Sequence, residues 1–157
     1  MKRLGVRPSF AASRRRAAGF TMLEVMIVTA IVAILAAIAL PNYADYVTRG
    51  KITEATTALS DMRQRYEQFF LDNRTYLNAC ATVGPLIQPQ PDFAINCGGA
   101  NGSSELAGSY SINASGLGSM TGFTYSIDNA GAKASSAPGA WGSSGSCWLI
   151  RKGGGCE

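Results

Sequence analysis

The chain has 157 residues, 46% of them hydrophobic and 15% charged, which allows one modest domain with appendages. Its formal charge of +4 misleads, because Lys2, Arg3, Arg7, Arg14, Arg15 and Arg16 load the N-terminal end with cations and no acid precedes Glu24. From residue 20 onward acids outnumber bases, so the high isoelectric point is no argument for a nucleic-acid partner. The absence of histidine removes the commonest general base. With no G-x-S-x-G element either, the sequence points away from enzyme chemistry.

In chain order, the first element is the apolar run over residues 20–40, interrupted by the single charge Glu24. As a helix it would extend about 30 Å, close to the thickness of a bilayer core. The cations before it should hold that end in the cytoplasm and export the rest. An ordinary signal peptide would also fit, with Ala37-Ile38-Ala39 as an A-x-A cleavage site. Against that reading stands Glu24, since a carboxylate at membrane depth costs about 2.5–3.5 kcal/mol. Such a group marks a function and needs a cationic partner.

Pro41 cannot donate a backbone N–H and should kink or loosen the helix near Leu40. Beyond it, Ile52, Ala55, Leu59, Met62, Tyr66 and Phe69 recur at steps of three and four, the stripe of an amphipathic helix that packs on its own domain. Gly50 is expected to weaken that helix, and Asp72-Asn73-Arg74-Thr75-Tyr76 should end it. Residues 77–107 read as a Pro/Gly-punctuated connection. Residues 109–113, 122–128, 133–135 and 147–150 read as short strands of a three- or four-stranded antiparallel meander. The fold class is therefore α+β: a long N-terminal helix packed on a small, disulfide-stapled sheet.

Four cysteines, Cys80, Cys97, Cys147 and Cys156, all follow the apolar run. In an exported domain they imply two disulfides. A zinc site would want a C-x-x-C pair or histidine, so no metal and no cofactor are expected. Of the three possible pairings, Cys80–Cys97 and Cys147–Cys156 are preferred: the first staples the helix-to-sheet loop, the second closes a short C-terminal loop.

The register of Gly19, Phe20, Glu24 and Pro41 around the apolar run resembles the leader of type IV prepilins. The resemblance implies a type IV pilin fold. It also implies that a prepilin peptidase cuts after Gly19, that Phe20 becomes the methylated N-terminus, and that the apolar helix is retained. It implies further that the freed Phe20 amine meets Glu24 of a neighbouring subunit. Segments such as Pro41-Asn42-Tyr43, Leu59-Ser-Asp-Met-Arg63 and Asp72-Asn-Arg-Thr-Tyr76, with Cys147-Trp148 before Lys152-Gly153 and Cys156, look like minor pilins of the PilE-like group.

The implied organisation is a leader (1–19), a transmembrane or filament-core helix (20–41), an amphipathic helix (42–76), a disulfide-bearing loop (77–107), and a sheet with a C-terminal disulfide-bounded region (108–157). The implied function is a pilus subunit supporting assembly, twitching motility and adhesion. Its partners would be other pilins, the peptidase, an inner-membrane assembly platform and, before assembly, lipid. It would sit in the bacterial inner membrane with its C-terminal domain outside the cytoplasm, then in the extracellular pilus. A major pilin, a type II secretion pseudopilin and a DNA-uptake receptor remain alternatives. DNA binding would fall to Lys133, Arg151 and Lys152, but three cations in an acidic domain read more readily as solvated surface, so nucleic acid is not an expected partner.

Overall fold

The computed structural model describes residues 19–156; the cations from Lys2 to Arg16, in the segment expected to be a leader, lie outside the described residues. The chain forms two compact units that meet in sequence between Leu40 and Pro41, and each is described by itself. Helix α1 (Met22–Asn73) is assigned without interruption through both. In the first unit its side chains from Met22 onward are almost all exposed, including Ile27, Ile31, Val32, Ile34, Leu35 and Ile38. The segment is long and apolar enough to cross a membrane.

In the second unit the helix has a sharply divided surface. Ile52, Ala55, Ala58, Leu59, Met62 and Tyr66 are buried, and Phe69 packs at the edge of the same core. These residues sit at i, i+3, i+4 and i+7, so they fall on one face. The opposite face keeps Glu54, Thr57 and Gln64 in solvent.

The sheet is larger than the sequence suggests. Six antiparallel strands run in the order β1 (Phe93–Asn96), β3 (Tyr110–Gly116), β4 (Thr124–Asp128), β5 (Lys133–Ala137) and β6 (Gly142–Ser144), with β2 (Ser104–Glu105) pairing on β3. Strands β1 and β2 share one edge of β3: Phe93–Asn96 face Gly116–Asn113, and Ser104 and Glu105 face Ser111 and Tyr110. The connection expected over 77–107 therefore contains two strands and a short helix, α2 (Ala79–Val83). Those strands are too short to show a period of two. The expected 147–150 strand is also placed differently: β7 (Leu149–Arg151) pairs with β8 (Gly155–Cys156) in a separate ribbon.

The period of two does hold on β3 and β4. Tyr110, Ile112 and Ala114 on β3, with Tyr125 and Ile127 on β4, point into the core, and the intervening residues point out. Phe93, Met120, Phe123, Trp141 and Trp148 complete the core. Two rings in it, Phe123 and Trp141, meet edge-on with centroids 5.4 Å apart, an arrangement that favours aromatic quadrupoles.

Two glycines lead to opposite expectations. A Cβ at Gly116 would lie 1.8 Å from the Met120 carbonyl oxygen, so the β3–β4 turn closes only over a bare Cα. Gly50 is a mid-helix glycine with open space around it. Gly116→Ala should lower the thermal midpoint or prevent folding, whereas Gly50→Ala should stabilise by about 1 kcal/mol through helix propensity. Thermal melts monitored by circular dichroism check both.

Candidate functional site

The N-terminal site begins as a helix start. Thr21 precedes the first helical residue, and its hydroxyl accepts the Glu24 backbone N–H at 3.1 Å. Val25 N–H donates to the Thr21 carbonyl at 3.2 Å, opening the helical ladder. Thr21-Met-Leu-Glu24 thus has the S/T-x-x-E spacing of a capping box, a local signal that the sequence reading passed over. Only half of the box is made: the Glu24 carboxylate has no hydrogen-bond or ion-pair partner among the described residues. It is exposed in the first turn, where the helix macrodipole favours an anion. A shallow apolar depression of about 220 Å³ lies beside it, lined by Phe20, Val25, Val28 and Thr29. Phe20 is 82% exposed.

The second region is the joint between α1 and the sheet. Glu67 accepts both the Tyr110 hydroxyl (2.8 Å) and the Tyr76 hydroxyl (2.9 Å). Glu105, on β2, accepts the Tyr66 hydroxyl (3.1 Å), the Cys80 backbone N–H (2.8 Å) and the backbone N–H of Asn78. The tyrosines stack among themselves, with Tyr66 and Tyr110 centroids 4.6 Å apart and Tyr76 and Tyr110 4.7 Å apart. Each carboxylate can only accept while ionised, and each phenol must stay protonated to donate. Burial, followed by the Glu67 hydrogen bond, pushes the Tyr76 phenol up to about 12. Burial raises Tyr110 and Tyr66 further, with Glu67 and Glu105 reinforcing the shift. Sequence reading could not find this cluster, because its members are spread over four elements.

Both pairs of cysteines are disulfide-bonded in the structure: Cys80 with Cys97, and Cys147 with Cys156. The first ties α2 to the end of β1, next to the Glu105 latch. The loop closed by the second is bound to the rest of its unit at several points. Ser135 donates its hydroxyl to the Cys147 carbonyl (2.9 Å) and accepts the Leu149 N–H (3.0 Å). Tyr125 donates to the Leu149 carbonyl (3.0 Å), and the Trp148 indole N–H to the Ser126 carbonyl (2.9 Å). Lys152 forms an ion pair with Asp45 at 2.6 Å. Farther along α1, Lys51 bridges Asp92 (2.7 Å) and the Ser119 hydroxyl (2.8 Å).

These contacts disperse the three cations singled out for DNA. Lys133 lies over the Trp148 ring, 4.2 Å from its centroid, and Lys152 is held by Asp45. Arg151 stays exposed on β7. Among the described residues no cluster of His, Cys, Asp and Glu is arranged to hold a metal.

Comparison with known proteins follows the same two units. Residues 14–40 match the prokaryotic N-terminal methylation motif, which sets the class: proteins that carry this motif at the start of an apolar helix. Residues 41–137 match the family described as type IV minor pilin ComP, DNA uptake sequence receptor. That match takes in more than half of the chain, and the chain belongs to this family of type IV pilins.

Similar proteins include a fimbrial protein of Pseudomonas aeruginosa, 41% identical over 61 residues, or 39% of this chain and 40% of that protein. Fimbrial protein EcpC of Eikenella corrodens is 35% identical over 88 residues, 54% of this chain and 58% of its own length. Type IV major pilin protein PilA of Myxococcus xanthus is 41% identical over 66 residues, 42% of this chain and 30% of its own. In each case the chain spans less than two thirds of the relative's length. Pilins are a structural family, and the architecture here, a long helix on an antiparallel disulfide-bearing sheet, is theirs.

The raised phenols fix the alkaline behaviour. A group whose pKa is higher in the folded state contributes stability that is complete below its unfolded value and is lost as pH rises through the folded value. For these tyrosines the unfolded value is 10.0 and Tyr76 titrates at about 12, so stability should hold to pH 10 and fall steeply above it. Urea melts at pH 9, 10.5 and 11.5 check this; Glu67→Gln should lower the unfolding free energy at pH 9 by about 1.5–3 kcal/mol, the range for a hydrogen bond to a charged group.

Proposed function

We propose that this chain is a type IV pilus subunit of the minor-pilin kind, cut after Gly19, methylated on Phe20 and inserted into a filament through its apolar helix. The observation that carries this reading is the register: the methylation motif over residues 14–40 runs directly into the pilin family match that starts at residue 41. Cleavage creates a cationic α-amine on Phe20, and methylation keeps its charge. The Glu24 carboxylate, left without a partner by its own half-made cap, is the complementary group. In a low-dielectric bundle an unpaired carboxylate is costly, while a pair with a neighbour's amine is tolerated and selects register more than it adds stability.

The leader has to be removed first, because its six cations (Lys2, Arg3, Arg7, Arg14, Arg15, Arg16) cannot enter such a bundle. Before assembly the apolar helix sits in the inner membrane with the second unit on the far side of the cytoplasm. In the filament Pro41 is the point at which the helix can loosen. The partners are other pilin subunits, the peptidase and the assembly platform.

Intact mass of the exported protein tests the processing step: a start at Phe20 plus one methyl group is expected, and a start at Leu40 would sink the reading. Glu24→Ala should leave that mass chemistry in place but reduce incorporation into sheared filaments at least tenfold. Normal incorporation of the variant would rule out the charge pair.

A second reading rests on the description of the matched family, which names a DNA uptake sequence receptor. Of Lys133, Arg151 and Lys152, Arg151 is exposed on β7 and is not held by a ring or a carboxylate. Retardation of duplex DNA by the full chain, lost in the Arg151→Ala plus Lys152→Ala variant, would support it; no retardation by the unmodified chain would end it.

A further inference from the structure

The outward face of the sheet differs from an ordinary soluble surface. Reading across the strands by register, one row is Ala94, Ser115, Thr124, Ser136 and Ser143. The next is Asn96, Asn113, Ser126 and Ala134, and the third is Ser104, Ser111 and Asp128. Asp128 alone is charged, and it lies at the border with its Oδ1 taken by the Ala132 N–H at 2.8 Å. Solvated surfaces usually carry about 25–35% charged residues. Here hydroxyls, carboxamides and methyls occupy the positions where Lys and Glu would be expected.

The face also carries a groove with a hydrogen-bonded rim. The groove has a volume of about 350 Å³ and is bounded on one side by Asn101 and Gly102 from the β1–β2 connection, and that volume is within the range of small-ligand sites. Asn96 is 8% exposed, and its Nδ2 is placed to donate to the Ala94 carbonyl, the Asn113 Oδ1 and the Ser115 hydroxyl. Its Oδ1 accepts Asn101 Nδ2 at 2.9 Å, while Asn113 Nδ2 donates to the Asn101 carbonyl at 2.6 Å. That network fixes the rim and one end of the floor. By contrast the hydroxyls of Ser111, Thr124, Ser126 and Ser136, which line the same groove, make no side-chain hydrogen bond to any described residue. They are free to bond a ligand.

We propose that this groove is a binding surface for a neutral polysaccharide. Hydroxyls that both donate and accept match a polyhydroxyl chain, and a hydrogen-bonded rim reduces the ordering cost of binding. A polyanion such as duplex DNA is bound through Lys and Arg, and none lies in any of the three rows. Tyr125 lies in the lining but is buried, with 1% of its surface exposed, so no ring is presented for stacking and a single groove binds weakly. Display of many copies would amplify it by avidity; that last clause alone rests on the pilus-subunit reading.

The test is affinity electrophoresis of the monomeric full chain in detergent micelles, through gels containing galactomannan, dextran or glycol chitin, with heparin and duplex DNA as anionic controls. Retardation is expected in at least one neutral gel, independent of any delay that Arg151 causes in the anionic ones. Thr124→Glu or Ser136→Glu, both at exposed strand positions, should weaken that retardation at least fivefold with the thermal midpoint unchanged. Passage through every neutral gel without delay overturns the proposal, as does delay only by heparin or DNA. So does neutral binding that survives both substitutions. Because the chain is tested as a monomer, none of these outcomes depends on filament assembly, which the Glu24→Ala experiment tests separately.

Discussion

An apolar helical surface without cover is the constraint from which the rest follows. Between Met22 and Leu40 the large side chains are half to nine-tenths exposed, and a fully buried side chain of this kind contributes about 1.5–3 kcal/mol. Leaving so many in water is untenable, so something other than the described residues must cover them. Lipid and a bundle of identical helices both can, and a helix is the only single segment that satisfies its own backbone in either. The same segment can therefore pass from one environment to the other without refolding. What differs between the two environments is the cost of the segment's one charge, at Glu24.

The second unit solves a different problem, that of fixing a small sheet to one helix face. Its core mixes aliphatic side chains with many rings, and Tyr66, Tyr110, Tyr125 and Phe93 are its largest fully buried side chains. Buried phenols need acceptors, and Glu67 and Glu105 supply them from the helix and from β2. Three of these hydrogen bonds run from a phenol to a carboxylate, a charge-assisted kind roughly twice as strong as a neutral one. Glu105 also bonds two backbone N–H groups at the start of α2, so the carboxylate that accepts from Tyr66 also anchors the segment carrying Cys80. The Cys80–Cys97 disulfide then fastens that segment to β1. Helix, connection and sheet edge are joined through one acceptor.

How much of this the sequence reveals depends on the range of the interaction. The helix stripe from Ile52 to Tyr66 is legible because burial on a helix repeats at a fixed short step, and β3 and β4 because their alternation runs over five residues or more. Strands β1, β2 and β6 are not legible: four, two and three residues long, they exist because β3 and β5 offer them an edge. The 52-residue extent of α1 is legible from the apolar run and the stripe beyond it, and the Thr21-x-x-Glu24 spacing carries a cap signal as well. The tyrosine–glutamate joint and the Lys152–Asp45 pair span long sequence separations and carry no local pattern at all. Lys133, Arg151 and Lys152 read in the sequence as scattered surface cations, and what the sequence does not show is that an indole ring and a carboxylate claim two of them.

If Glu24 forms the proposed charge pair, its structural and its functional role need not compete. As the third residue of a capped helix, its backbone N–H is satisfied by Thr21, and its carboxylate is favoured there by the helix dipole worth about 0.3–1 kcal/mol. That is enough to hold the anion at the helix start, and much less than the several kcal/mol for burying an ion without a partner. The cap therefore places the charge without neutralising it. A carboxylate that had completed the capping box on its own Thr21 N–H would already be partly satisfied, and would discriminate less between a neighbour with a free amine and one without. The half-made cap leaves that discrimination intact: the helix fixes where the anion sits, and only an opposite charge from outside the segment makes its burial tolerable.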